Sequence, residues 1–318
     1  MRSTRWALAA LLAVLVATAH SQPQRYPPQG GTPVKYKSLQ ADAPDLSINA
    51  MLYKPAGTAK GAVVITHGAA GWADYREGQY ARALSSAGYA VLAIDSYGPR
   101  GIVNMNTPED IAMISPYAEA RDAFAARRYL VSIGYQADRM AVMGSGRGGT
   151  IALLASDRTF VQDEKERFAV AMAISAACVF HPKTPKPASR VFIAIGEKND
   201  VVGVQPCKDL AKEYAGAGGR VDVKLYPGAA EAFDGSPDNL RMFRDPFSAT
   251  SVDCNVSVEP DGRSRYNGKT FAESDFIALA TEMRKSCIKR GGFSWTNLTQ
   301  KAAVTFDLIE FLDGNFRR

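Results

Sequence analysis

The stretch Met140-Ala-Val-Met-Gly-Ser-Gly-Arg-Gly-Gly149 decides how the rest of the chain reads. Residues 140–143 are a short apolar run, the pattern of a strand buried on both faces. Glycines at 144, 146, 148 and 149 interrupt it, and helical spacing resumes over 150–155. A strand that turns sharply into a helix exposes its apex residue at the carboxyl end of a sheet. Small residues are needed two before and two after the apex, because the two backbones pass close together there. Gly144 and Gly148 meet that need and put Gly146 at the apex. Centring the turn on Ser145 would instead put Met143 and Arg147 in the crowded positions.

Outward from this turn, strands and helices alternate. Strands are predicted at 46–53, Ala62–Thr66, 90–94, 140–143, 169–174, 191–195 and Val221–Tyr226. Helices are predicted at 75–87, 115–131, 150–155, 205–217 and 297–312. This alternation argues an α/β fold, a mostly parallel central sheet with helices on both faces and sites at the carboxyl ends of its strands. Residues 234–292 break the rhythm. They are polar, rich in Asp, Arg, Ser and Gly, and read as an insertion between the last strand and the last helix.

The beginning of the chain reads as an address. Arg2 and Arg5 precede an apolar run over 6–16, and Ala17-Thr18-Ala19 supplies a cleavage pattern, so 1–19 is expected to be a signal peptide and the protein to be exported, periplasmic or secreted. The run is shorter than the ~20 residues needed to span a bilayer, so no stable membrane insertion is expected. Residues 20–44 are expected to hold a flexible leader, rich in Pro, Gln and Gly over 22–33, and the first strand. Residues 45–318 then form one domain. The net charge of +6 is spread without a basic block, which excludes a nucleic-acid stripe. There are four cysteines, with no Cys-x-x-Cys and no histidine cluster, so disulfides are expected rather than a metal site, and no cofactor.

Several ordered segments resemble the dienelactone hydrolase family of the α/β-hydrolase superfamily. The turn around Gly146 resembles its nucleophile elbow. Val63-Val-Ile-Thr-His-Gly-Ala-Ala-Gly71 resembles its strand and oxyanion loop, and Asp95-Ser-Tyr-Gly-Pro-Arg-Gly101 a further family segment. Ile195-Gly-Glu-Lys-Asn-Asp200 resembles the loop that carries the acid, and Lys224-Leu-Tyr-Pro-Gly-Ala-Ala-Glu-Ala-Phe-Asp234 the loop that carries the histidine base. The resemblance spans roughly 45–235 plus the final helix. It implies an α/β-hydrolase fold and hydrolysis of ester or lactone bonds in small molecules.

The same resemblance locates three substitutions. The nucleophile position holds Gly146 and the base position Glu231. The acid position falls on Asn199 or Asp200, one residue apart. An acyl-transfer triad needs a nucleophile, a histidine and an orienting carboxylate, and none of the three histidines is at the base position. His20 lies at the cleavage site, His67 is expected to brace the oxyanion loop, and His181 follows the strand at 169–174. The backbone N–H groups of Ala69 and Arg147 would remain as an oxyanion hole. Arg100 and Arg147 are candidates for holding an anionic ligand, and an ion pair between Glu231 and Arg147 is an alternative that would close the site.

Three readings follow. The first is a non-hydrolytic relative that binds an acidic or ester-like small molecule through the old site. The second is a hydrolase in which Glu231 or Asp200 acts as base for direct attack by water. The third is an interaction module that meets an unidentified protein partner through 234–292. Four cysteines allow three pairings. Cys178–Cys207 is predicted because both follow consecutive strands of the sheet, and Cys254–Cys287 because it would fasten the insertion.

Overall fold

A computed structural model describes residues 28–161, 164–259 and 261–316. The predicted signal peptide at 1–19 lies outside the described residues. The first half contains β1 (Thr32–Lys37), β2 (Ser47–Tyr53), β3 (Ala62–Thr66), β4 (Ala90–Asp95) and β5 (Met140–Ser145). It is followed by β6 (Val170–Ile174), the short β7 (Phe180–Pro182), β8 (Arg190–Gly196) and β9 (Val221–Tyr226). The helices between them are α1 (Gln79–Ser86), α2 (Pro116–Ser132), α3 (Arg147–Leu154) and α4 (Gln205–Gly216).

Eight of these strands form one sheet in the order β1-β2-β4-β3-β5-β6-β8-β9. β2 runs antiparallel to both neighbours, and from β4 to β9 every pairing is parallel. This is the α/β-hydrolase architecture. Alternate side chains of a strand enter opposite faces. Thus Met140 and Val142 join the core under α2, α3 and α4, while Ala141 and Met143 join the core under α1 and the last helix, α6 (Leu298–Phe316). The chain leaves β3 for β4 on one side and returns to β5 on the other, so a switch of direction falls between β3 and β5, where α/β sheets open a crevice.

The segment read as a polar insertion is itself built of secondary structure. It carries β10 (Phe243–Thr250), β11 (Val256–Val258), β12 (Ser264–Tyr266), β13 (Lys269–Phe271), α5 (Phe276–Ser286) and β14 (Lys289–Ser294). β10 pairs with β14 in a two-stranded ribbon, and β13-β12-β11-β7 form a small sheet whose last strand comes from the main chain path. Val179, Val256, Tyr266, Phe271, Phe276, Leu279 and Met283 close over one another as a third core.

Both disulfides form as expected. Cys178 is bonded to Cys207, and Cys254 to Cys287. Among the described residues no helix is long and apolar enough to cross a membrane.

Candidate active site

The elbow is centred on Gly146. Its backbone stands at φ 58°, ψ −120°, between β5 and α3, a region that side chains with a Cβ enter only under strain. A Cβ on Gly144 would run into the carbonyl carbon of Gly148 and the hydroxyl of Thr66, and a Cβ on Gly148 into the carbonyl oxygen of Thr66. Both flanking glycines are therefore obligatory, as the close passage of strand and helix demands. A Cβ on Gly146 itself would meet nothing nearer than Glu231 Oε1, 3.9 Å away. Ser145, the rival apex, is buried and donates its hydroxyl to Asp234 Oδ1 at 3.0 Å.

Glu231 sits over that apex. Its Oε2 accepts a 2.7 Å hydrogen bond from Asn199 Nδ2. The orientation of the Asn199 amide follows from its other end, where Oδ1 accepts the backbone N–H groups of Val201 and Val202 at 3.1 Å each. The structure thus brings Asn199, not Asp200, to Glu231. Asp200 is turned out of the site and accepts the backbone N–H of Phe293. A histidine base would donate to an acid, whereas here the amide donates to a carboxylate. The direction of this hydrogen bond is thus opposite to that of a histidine–acid pair. Burial pushes the Glu231 carboxyl up to about 7, the Asn199 hydrogen bond works against that shift, and the nearby Asp234 charge adds to it.

Two non-glycine residues beside this pair, Ser175 at φ 46° and Ala232 at φ 53°, hold left-handed backbone. Each costs on the order of 1 kcal/mol, and such strain clusters where side-chain aim matters. The insertion helps to aim Glu231, since its backbone N–H donates to Phe293 O and its carbonyl accepts from Trp295 N. β14 therefore touches the loops of both Glu231 and Asp200.

The oxyanion loop is braced from below. His67 Nε2 accepts the N–H of Ser96, which leaves Nδ1–H to donate to Gly68 O. Glu77 accepts the N–H groups of Gly68 and Ala73, and Met105 N–H donates to Ala69 O. Among the described residues the N–H groups of Ala69 and Arg147 have no acceptor, and both residues line the cleft with Gly146 and Glu231. Arg147 is the first residue of α3, so its N–H lies at a helix N-terminus.

The arginine expectations need correction. Arg100 is committed to Asp122, a fully buried carboxylate on α2 that requires a counter-ion, and to the carbonyl of Ser96. Arg147 gives its guanidinium to Glu119 and to Ile114 O, so it forms no ion pair with Glu231. His181 bonds Asn255 Oδ1 away from the cleft. A second arginine that lines the cleft is Arg76, in a π-helical turn, Asp74–Gly78, that nothing in the sequence singled out. Its Nε donates to Glu77, while its buried Nη2 donates to no protein group. Beneath the site, buried Lys301 donates to the carbonyls of Tyr75 and Gly235, and burial lowers its ammonium to about 8.

The cleft encloses about 460 Å³ between the carboxyl ends of the strands and the inserted segment, within the range of small-molecule sites.

Residues 48–241 match the profile of the dienelactone hydrolase family. The fold is similar to that of a protein assigned as a dienelactone hydrolase from Klebsiella pneumoniae subsp. pneumoniae, at 14% identity and a TM-score of 0.53, covering 66% of this chain and 93% of that one. A thermophilic esterase from Thermogutta terrifontis shares 17% identity with a TM-score of 0.48, over 67% of this chain and 88% of that one. An α/β-hydrolase enzyme from a Medee basin deep-sea metagenome library shares 17% identity with a TM-score of 0.49, over 65% and 85%. No curated protein sequence matches the chain. With the family profile covering more than half its length, the chain belongs to the dienelactone hydrolase family.

Proposed function

We propose that this family member hydrolyses a small ester or lactone without a covalent intermediate, using Glu231 as general base for direct attack by water. The observation that carries the reading is the Glu231 carboxyl, held by Asn199, near neutral in its pKa and 3.9 Å from where an apex side chain would begin. A water molecule over Gly146 loses a proton to Glu231 as its oxygen attacks the carbonyl carbon. Negative charge gathers on the carbonyl oxygen, towards the N–H groups of Ala69 and Arg147. Collapse breaks the bond to the leaving oxygen, which takes the proton back from Glu231. A positioned base contributes ~10²–10⁴ in rate and one oxyanion donor ~10²–10³. The reaction is therefore slower than one run by a full triad, whose nucleophile and base are each worth about 10⁶.

The test is turnover of p-nitrophenyl acetate and of a dienelactone by purified protein and by Glu231→Gln. The expected result is steady turnover with no burst and no acyl-enzyme mass, reduced about 10²–10⁴-fold in the variant. Turnover that Glu231→Gln leaves unchanged refutes the role of Glu231. No turnover above buffer refutes hydrolysis and leaves a cleft that only binds, a reading favoured by the missing nucleophile at Gly146. Export, and action on the cleft's ligand outside the cytoplasm, belong to the same proposal and are supported by two disulfides of the kind oxidising compartments sustain.

A further inference from the structure

The cleft has two unlike ends. At one, Glu231, Gly146, Arg76 and the oxyanion loop present polar groups. At the other, Val179, Phe180, Phe276, Ala280, Met283 and Ile288 line the same cavity with hydrocarbon. Val179, Phe276, Ala280 and Met283 belong to the third core and are buried. The surface this end leaves to the cavity is therefore chiefly that of half-buried Phe180 and Ile288, with the buried four packed behind it. Apolar atoms facing such a cavity lack packing partners on one side, and apolar cavities of this kind take up hydrocarbon rather than water. Most of this wall comes from α5 and the residues just after it, outside the segment 48–241 that matches the family profile.

We infer that the inserted segment forms a hydrocarbon-binding subsite, and that the ligand is an ester or lactone carrying an uncharged alkyl or aryl group. This rests on the reading that the cleft takes a small ester. Carbonyl and hydrocarbon are then held at opposite ends. The carbonyl faces the N–H groups of Ala69 and Arg147, and the hydrocarbon lies along α5. Specificity comes from the insertion, while chemistry comes from the sheet.

Two measurements separate this inference from the hydrolytic one. The first is binding of 2-alkanones, from 2-butanone to 2-decanone, to the full-length Glu231→Gln protein by calorimetry. These ketones carry the carbonyl and the chain but have no bond to hydrolyse. Affinity should tighten about three- to fourfold for each added methylene until the wall is covered. The second is kcat/KM of the unaltered protein on p-nitrophenyl esters from acetate to octanoate, which should climb with chain length over the same span. Ile288→Asn, which makes the half-buried edge of the wall polar, should flatten both series, and Phe180→Ala should weaken the longer members most, each variant being checked for an intact fold by circular dichroism. Ketone affinity that is independent of chain length overturns the subsite even where esters turn over. Chain-dependent ketone binding with no ester turnover upholds the subsite and overturns the hydrolytic reading instead.

Discussion

Replacing Glu231 by Gln should make the protein more stable at alkaline pH, although it deletes a group proposed to act in catalysis. A carboxyl whose pKa rises from 4.5 to about 7 on folding binds more proton in the folded state than in the unfolded one. Between those values the unfolded chain has released its proton and the folded chain has not, so stability falls as pH rises. The contribution is fully present below about pH 4.5 and is lost by about pH 7. At ~1.4 kcal/mol per unit the ceiling is roughly 3.4 kcal/mol. Glu231 keeps partial exposure to the cleft, so a difference of ~1–2 kcal/mol is the realistic size. Gln keeps an oxygen that accepts the Asn199 bond and has nothing to titrate. Urea unfolding of both proteins from pH 4 to pH 8 measures this, and taking the difference cancels every other titrating group. The variant should gain on the parent between pH 4.5 and 7 and hold the gain above that. A difference that stays flat with pH would show that Glu231 is not buried as described, and would remove the basis for calling it a base poised near neutrality.

The remaining predictions concern the apex, the amide and the insertion. Gly146→Ala should destabilise by ~1–3 kcal/mol through backbone strain alone, because no atom obstructs the new methyl. Gly314→Ala, the same change in the exposed last helix with open space around it, should stabilise by roughly 0.5–1 kcal/mol. Equal shifts in thermal melting would contradict the assignment. Asn199→Asp places a second carboxylate against Glu231, and the pair should then share a proton, moving the rise in activity to higher pH by about a unit or more. An unmoved pH profile would separate Glu231 from the reaction. Replacing Cys254 and Cys287 together by Ala opens a loop of 33 residues, for which chain entropy gives a loss of about 3–4 kcal/mol, read by urea unfolding.

Legibility in the sequence followed the range of the interactions. The apolar runs of β3, β4, β5 and β6 are local patterns, and so is the spacing of Gly144, Gly146 and Gly148. Both could be read directly because burial on two faces and a close backbone crossing each demand particular residue types in place. The start of α3 was placed late, at Thr150 rather than Arg147, because Gly148 and Gly149 look like turn residues until the crossing over Thr66 is known. Arg100 looked free because its partner, Asp122, is buried on a helix 22 residues further along. The choice between Asn199 and Asp200 rests on a turn in which Asn199 N–H bonds Gly196 O, and periodicity carries no trace of it. The strands of the insertion escaped notice because three of them are three residues long, and one pairs with β7, far back in the chain. Arg76 had no signal at all. Its importance lies in the carbonyls, carboxylates and cavity that the fold assembles around it.

The two disulfides bear on how the site comes to completion. Cys178 adjoins Val179, and Cys287 adjoins Ile288, so each bond is anchored beside a residue of the hydrocarbon wall. The end of the cleft that holds Glu231 and Gly146 is instead set by the sheet and its loops. A chain whose thiols stay reduced would lose both crosslinks beside that wall and keep the sheet that sets the elbow, so the effect of reduction should fall on the wall first.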